Sequence, residues 1–526
     1  MTTTRHERMS TIDTAWLRMD TPGNSMMIVG VSATETPIRP ADFRRMIRQR
    51  LLCFDRFRQR AVADPLGASW VEDEDFDLDA HLEVVKLRGT GGKTALEELC
   101  AELAATPLDP SRPMWQFHFI ERYLGGSAWI TRVHHCYADG IAMMRVLLSM
   151  TEQDPAPAMG ARPSRRGTSA RSLRPDVLPV LSWIGRFTQP SGDILEHALA
   201  EGAKLLEAGI HQLFNPGKVS DLALQAGSMV GEFANVVTLA DDPATPLRGR
   251  ITGEKRVAWG EPIPLADVKA LGAGLGCTIN DVLMATVAGA LGDWLRARGT
   301  DTAGLAVRAS VPVNLRAADE PLTLGNRFGL VFVEMAIGMT DPLERVAKMR
   351  ETMTALKGSM QPPMTLAVLG MLGMLPASLQ APAVELLSRK GSAVISNVPG
   401  PQAPLLMCGQ RISEMYFWVP QSGSIGVGIS ILSYAGQVYF GMISDAALVE
   451  EPADVIARIR PNFEALRAAA ASQKQRKPTP AKRGRSASPK RPRKTTAGRA
   501  AAGKTSRKSA SKSKRPARPG MARRPK

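Results

Sequence analysis

Apolar and polar positions along the first 150 residues switch between two periods. Ser25–Ala33 (SMMIVGVSA) is a nearly continuous apolar run and predicts a buried strand. Phe43 to Phe57 carries apolar residues at helical spacing, and Leu96–Ala105 (LEELCAELAA) predicts a second amphipathic helix. Gln116–Tyr123 and Ser127–His135 predict strands, and Ile141–Met150 a helix. Over 154–178 the pattern dissolves into Pro, Ser, Gly and Arg, the composition of a linker. Residues 180–240 then predict mostly helix. A second alternation starts near residue 255, with a short strand at Arg256–Gly260 and helices at Leu265–Gly276 and Ile279–Gly299. Strands are predicted at 305–315, 326–337 and 392–400. Ser424–Ser444 predicts a hairpin turning at Ala435-Gly436, and a helix around 453–468 closes the pattern. The order is that of an α/β protein in four parts: 1–153, a linker and helical crossover over 154–250, a second α/β segment over 251–473, and a tail over 474–526. No short-period repeat is present.

Charge sharpens the last boundary. The net charge of +17 is uneven, because residues 474–526 hold 21 Lys and Arg and no Asp or Glu. Removing those 21 from the 67 basic residues leaves 46 against 50 acidic ones, a net of −4 for 1–473. The tail has almost no large apolar side chains and cannot offset its ordering entropy, so it is expected to be disordered. Its composition is similar to linker-histone tails. It would bind polyanions, nucleic acid without sequence preference or anionic lipid, through phosphate contacts.

Cys53, Cys100, Cys136, Cys277 and Cys408 are scattered and odd in number, which argues against a disulfide framework and for a reducing compartment. The N-terminus has no signal-peptide core, and no stretch reaches the ~20 apolar residues of a spanning helix. The nearest, Met364–Leu375, contains two glycines and lies between Pro363 and Pro376. The expectation is a cytoplasmic protein with peripheral membrane or lipid-droplet contact.

The chemistry concentrates in His134-His135-Cys136-Tyr137-Ala138-Asp139-Gly140, where a strand gives way to a helix. Adjacent strand residues point to opposite faces, so one histidine faces a cleft while the other packs inside. Asp139 sits where a carboxylate caps free N–H groups, and Gly140 permits a tight turn. A near-neutral imidazole suits an alcohol that must attack a thioester. Three plainer readings compete. A strand-end histidine is commonly a satisfied core residue. His and Asp are metal ligands, yet His6, His81, His118, His197 and His211 form no ligand spacing, so no metal is expected. A Cys136–His135 nucleophile pair is disfavoured because neighbours on a strand diverge.

HHxxxDG is the signature of acyltransferases that resemble chloramphenicol acetyltransferase, among them peptide-synthetase condensation domains, plant alcohol acyltransferases and the bacterial wax ester synthase/diacylglycerol acyltransferases. Further segments resemble the last group: MSTIDTAWLRMDTPGNSMM (9–27), WVEDEDFDLDAHL (70–82), PLDPSRPMW (107–115), the Asn-Asp region within 256–291, VPVNLR (311–316), LGNRFG (324–329), SNVPGP (396–401) and YAGQVYFGMISD (434–445). The resemblance spans nearly all of 9–468. It implies two chloramphenicol acetyltransferase-like α/β domains joined by the helical crossover, with an active-site tunnel between them. Acyl-CoA would be co-substrate, no cofactor would be required, and a fatty alcohol or diacylglycerol would be the acceptor. His135 would be the general base, with no acyl-enzyme, and Asp139 would hold the loop, paired with Arg132 or Arg316. Asn280 and Asp281 would line the site, although their plainer reading is a helix cap. SNVPGP reads as a shaped turn, and Asp109 with Arg112 as a structural pair. Two positions depart from the family pattern, Met27 in place of His and Arg248 in place of Asn. A carrier-thioester condensation enzyme and a non-catalytic lipid-granule or nucleoid-associated protein are the competing functions. The first lacks an accompanying carrier domain, and the second has no need of an intact HHxxxDG.

Overall fold

The computed structural model describes residues 6–153, 239–316 and 323–476, apart from residues 22, 66, 90, 358, 360 and 376. The linker and helical crossover expected within 154–250 lie, over 154–238, outside the described residues, as does the tail from residue 477. Residues 474–476 belong to the last helix rather than to the tail.

The chain opens with β1 (His6–Arg8), α1 (Thr11–Arg18), β2 (Met27–Thr34) and α2 (Pro40–Met46). There follow β3 (Gln59–Asp64), β4 (Gly67–Glu72), β5 (Leu82–Val84), α3 (Lys93–Ala105), β6 (Trp115–Tyr123), β7 (Gly126–His134), α4 (Gly140–Met150) and β8 (Glu152–Gln153). After residue 239 come β9 (Lys255–Trp259), β10 (Ile263–Pro264), α5 (Leu265–Leu275), α6 (Ile279–Ala297), β11 (Val307–Asn314), β12 (Phe328–Met335), α7 (Pro342–Leu356), α8 (Gln361–Met374) and α9 (Ala377–Ser388). The remainder is β13 (Ala393–Pro399), β14 (Leu405–Met407), β15 (Gln410–Trp418), β16 (Val427–Tyr434), β17 (Gln437–Asp445), α10 (Pro452–Ile456) and α11 (Ile459–Arg476).

Two seven-stranded sheets carry the fold, as the α/β pattern implies. The first has the order β5-β6-β7-β2-β15-β14-β8; the second has β10-β17-β16-β13-β11-β12, with β9 paired to β17. Their central strands are buried on both faces, which is why β2, β7 and β16 read as apolar runs rather than alternations. One core gathers around Phe43, Phe119 and Trp129 beneath the first sheet. The other surrounds α6, which is buried over most of its length. Gly292 marks where α6 meets backbone: a Cβ there would sit 2.1 Å from the Ile337 carbonyl oxygen.

The C-terminal segment expected at 251–473 is not self-contained. β14 and β15 complete the first sheet, β15 pairing antiparallel with β2 from Trp418↔Val29 to Ile412↔Thr34. β14 pairs with β8. The two halves of the chain are thus laced together by main-chain hydrogen bonds.

Two helix expectations are corrected. The helix anticipated over 43–57 stops at Met46, opens into one π turn over Ile47–Leu51, and resumes as a 3-10 turn at Asp55–Arg58. The wider turn keeps Ile47 and Leu51 both buried, and the tighter one delivers Phe57 to Tyr137. The helix anticipated over 453–468 is two, α10 and α11. Pro461 lacks an N–H and its ring clashes with the carbonyl four residues back, so it fits only a first helical turn. The hairpin at Ala435-Gly436 is present as expected, with φ of 47° and 78°, the positive pair that a two-residue hairpin turn requires.

Candidate active site

β7 ends at His134, and His135 begins the turn into α4. Main-chain bonds fix this corner. The His134 N–H donates to Met114 O (3.0 Å), the His135 N–H to Met26 O (2.7 Å), and the Asn326 Nδ2 donates to the His135 carbonyl (2.7 Å). The His135 imidazole stacks on Trp16, centroids 4.3 Å apart at 20°, and tilts against Phe328 at 5.5 Å. It lines a cavity of about 450 Å³, whose far wall is built from β11, β12 and β13 of the second sheet. Its Nδ1 is sealed from solvent. Burial pushes the imidazole down to about 4, against the opposing charge of Asp139, so the ring is neutral near pH 7.

His134 takes the opposite face, as the alternation of strand side chains demands. Its Nδ1 accepts the Cys136 N–H (3.2 Å), which places any proton on Nε2. Nε2 lies 3.8 Å from Asp20 Oδ2, an ion-pair separation too long for a hydrogen bond. His134 does not line the cavity. Cys136 is fully buried, and desolvation raises its thiol well above the usual range, so it is no nucleophile.

Asp139 is the N-cap of α4, its Oδ1 accepting the N–H groups of Ile141 (3.1 Å) and Ala142 (2.9 Å). Its Oδ2 accepts from Arg316 Nη1 and from the Arg327 N–H (2.9 Å). Arg316 also donates to Gly325 O (2.6 Å), and both members of the pair are 4% exposed. The partner is therefore Arg316. Arg132, the alternative, lies on the His134 face and donates to Gln116 Oε1 (2.7 Å) and Thr106 O. Asp139 makes no hydrogen bond to the imidazole.

Gly140 is corrected. Its φ is not positive, and a Cβ would meet only Val398, at an ordinary 3.6 Å. It starts α4 and lines the cavity, so its lack of a side chain leaves room there rather than making the turn.

Both readings of the Asn-Asp pair apply: Asn280 and Asp281 both line the cavity, and Asp281 also caps the helix. The N-cap of α6 is Thr278, and Asp281 completes a capping box, its Oδ2 accepting the Thr278 N–H (2.7 Å) while Thr278 Oγ1 accepts the Asp281 N–H (3.2 Å). Asn280 lines the cavity, and its Oδ1 accepts from Asn397 Nδ2 (2.9 Å). Ser396, Asn397 and Val398 also line the cavity, so SNVPGP is a wall of the site as well as a shaped strand end. Asp109 and Arg112 pair at 3.6 Å on the surface. Of the departures, Met27 is buried on β2 opposite His134, and Arg248 donates to Asp242 O away from the cavity.

Sequence reasoning missed the side chains that hold the His135 corner: Trp16, Asp13, Asn326 and Phe328. Their segments, DTAW and LGNRFG, were the signal. Among the described residues no group of three or more His, Cys, Asp or Glu could hold a metal ion.

The chain matches known proteins along this whole frame. The profile described as the wax ester synthase/diacylglycerol acyltransferase catalytic domain matches residues 9–283, and the WS/DGAT C-terminal domain matches 324–467. A probable diacylglycerol O-acyltransferase, tgs1 of Mycobacterium tuberculosis, is 29% identical over 455 residues, covering 84% of this chain and 92% of the relative. Among solved structures, the wax ester synthase/diacylglycerol acyltransferase of Marinobacter aquaeolei VT8 shares the fold with a TM-score of 0.60 at 22% identity, covering 88% of this chain and 100% of that one. The first condensation domain of the calcium-dependent antibiotic synthetase shares it at a TM-score of 0.53 and 16% identity, covering 90% and 97%. With its catalytic profile spanning more than half of the residues, the chain belongs to the wax ester synthase/diacylglycerol acyltransferase family of acyltransferases.

Proposed function

We propose that the protein transfers a long-chain acyl group from acyl-CoA to a lipid alcohol, diacylglycerol or fatty alcohol, with His135 as general base and no acyl-enzyme. The observation that carries the reading is a neutral, buried imidazole on the wall of a largely apolar cavity. Nε2 takes the hydroxyl proton as the alcohol oxygen attacks the thioester carbonyl carbon. The tetrahedral intermediate then collapses, the C–S bond breaks, and the imidazolium returns the proton to the thiolate, giving ester and free CoA. A low dielectric disfavours the imidazolium alone but favours it beside the oxyanion formed in the same step. The test is an acyl-CoA assay over a panel of alcohols, read as CoA release. Release without alcohol, or an acylated protein by mass spectrometry, would contradict direct transfer.

Such substrates partition into lipid, and the surface offers a place for contact. No single helix among the described residues is long and apolar enough to cross a membrane. Yet Met374, Leu379 and Leu386 on α8 and α9 expose 40%, 58% and 39% of their surface. We expect Leu379→Glu/Leu386→Glu to weaken vesicle binding by about tenfold or more, since burying one such side chain contributes roughly 1.5–3 kcal/mol. Unchanged co-sedimentation with vesicles would remove this face from the lipid contact.

The basic tail is proposed to bind polyanions. A chain ending at Arg476 is expected to keep its rate on soluble substrates and lose DNA and anionic-vesicle binding. For the full chain, about 6–10 phosphate contacts would cost ~10³–10⁵ in affinity between 50 and 200 mM salt. Equal DNA binding by the shortened chain would leave the tail as a solubilising extension.

A further inference from the structure

Helix α1 presents two residues to the corner that carries the base. Asp13 and Trp16 are three apart and share a face. Trp16, 6% exposed, lays its indole over the His135 ring. Asp13 is also buried, and its Oδ1 accepts both the N–H (3.0 Å) and the Nδ2 (2.8 Å) of Asn326. The same Nδ2 donates to the His135 carbonyl. Asp13 Oδ2 accepts from Ser10 Oγ (2.7 Å), so the carboxylate is oriented from behind. Asn326 belongs to a loop that clasps the motif through main chain: the Gly325 N–H donates to Tyr137 O (2.9 Å) and the Asp139 N–H to Gly325 O (3.3 Å).

We infer that α1 is the positioning element of the base: Trp16 fixes the plane of the His135 ring and keeps water from it, while Asp13, acting through Asn326, fixes the His135 main chain. The inference rests on the reading of His135 as base. Trp16 lines the cavity beside the ring, but its part here, like that of Asp13 and Asn326 on the His135 main chain, is to position the base, so the three are positioning residues. The physical reason they matter is tolerance: a small misplacement of a reacting group can cost ~10²-fold. An aromatic plate on one face and a locked carbonyl below leave the imidazole little freedom except toward the cavity.

The experiment uses the full chain with Trp16→Phe, Trp16→Ala and Asn326→Ala, checked for folding by circular dichroism and thermal melting. Trp16→Ala and Asn326→Ala are expected to lower kcat about 10- to 100-fold with KM for acyl-CoA within about twofold. Trp16→Phe, which keeps a ring to stack, is expected to recover most of the rate. The pH profile supplies the readout that loss of stability alone would not move. The charged and titratable groups around His135 are Asp139, His134, Asp13 across Asn326, and Arg316 across Asp139; none changes in the Trp16 variants. Removing the indole admits water, so the acidic limb of kcat/KM should move up from about 4 toward the ordinary histidine value of 6.5. Should Trp16→Ala not fold, Trp16→Leu is read in its place, since it fills much of the volume without a ring. Wild-type rates with an unmoved limb would overturn the inference. So would losses that merely track the folded fraction, with no recovery in Trp16→Phe. His135→Ala, run alongside, separates the two claims: if it stays active, the base assignment itself fails, whereas an inactive His135→Ala beside unaffected Trp16 and Asn326 variants refutes only the positioning role.

Discussion

Replacing His135 with alanine is expected to lower kcat for ester formation by ~10²–10⁴, the range general-base catalysis contributes, with KM for acyl-CoA little changed. The split follows from the geometry, since the ring is one patch of a cavity lined mainly by other side chains. His134→Ala should behave differently. That ring accepts the Cys136 N–H and approaches Asp20 behind the strand, so its loss should lower stability and leave part of the turnover. The wild-type pH profile discriminates further. The base is active when neutral, so kcat/KM should stay flat from pH 8 to about 5 and fall as His135 protonates near 4. Stability moves in the same direction. The folded-state pKa values of His135 and His118, each about 4, lie below their unfolded value of 6.5, so the unfolded chain binds more protons between these limits. Their contribution is full above pH 6.5 and is lost progressively as pH falls toward 4. Near wild-type turnover by a folded His135→Ala protein would end the mechanism.

What the sequence disclosed, and what it hid, divides along physical lines. Strands buried on both faces announce themselves as apolar runs, so β2, β7, β13 and β17 were placed to within a residue or two, and β16 to within three. The Ala435-Gly436 turn was legible because the flanking runs leave two residues between them. β15 was not read, although Gln410–Trp418 alternates well enough for a strand. Even with its type known, nothing local could say that it pairs with β2, some 380 residues earlier, because register between distant segments is set by tertiary packing. The helices α7 and α9 were missed for a related reason: each is partly exposed, and neither stood out beside the buried α6. At the site, the motif singled out the histidine pair, and alternation separated His135 from His134. It could not choose between Arg132 and Arg316, because that choice depends on which face of β7 meets the 325 loop. Trp16 and Asn326 were in view as members of recognised segments, yet only the fold brings them to the same imidazole.

The Asp139–Arg316 pair is where the largest loss of stability is expected. Both groups are buried, and the carboxylate serves three main-chain N–H groups besides the guanidinium. Removing one member of a buried pair leaves the other charge desolvated and unpaired, at a cost of about 3–5 kcal/mol. Asp139→Ala also removes the cap of α4, which contributes roughly 0.5–2 kcal/mol. It should therefore be the most destabilising single change at the corner. Arg316→Met should cost less, because Ile141, Ala142 and Arg327 still donate to the carboxylate. Asp139→Asn retains an acceptor for the cap but loses the charge opposite Arg316, and should fall between wild type and Asp139→Ala. Chemical denaturation of the single variants and of Asp139→Ala/Arg316→Met closes a double-mutant cycle. The double change should cost clearly less than the sum of the singles, since neither charge is then left alone. Turnover should fall in step with the order of the corner, because Asp139 and Arg316 together hold the 325 loop against the turn that carries His135. Additive costs would mean that the two charges do not depend on each other. Full stability with complete loss of turnover in Asp139→Asn would give the carboxylate a part in the chemistry itself, in place of the structural one.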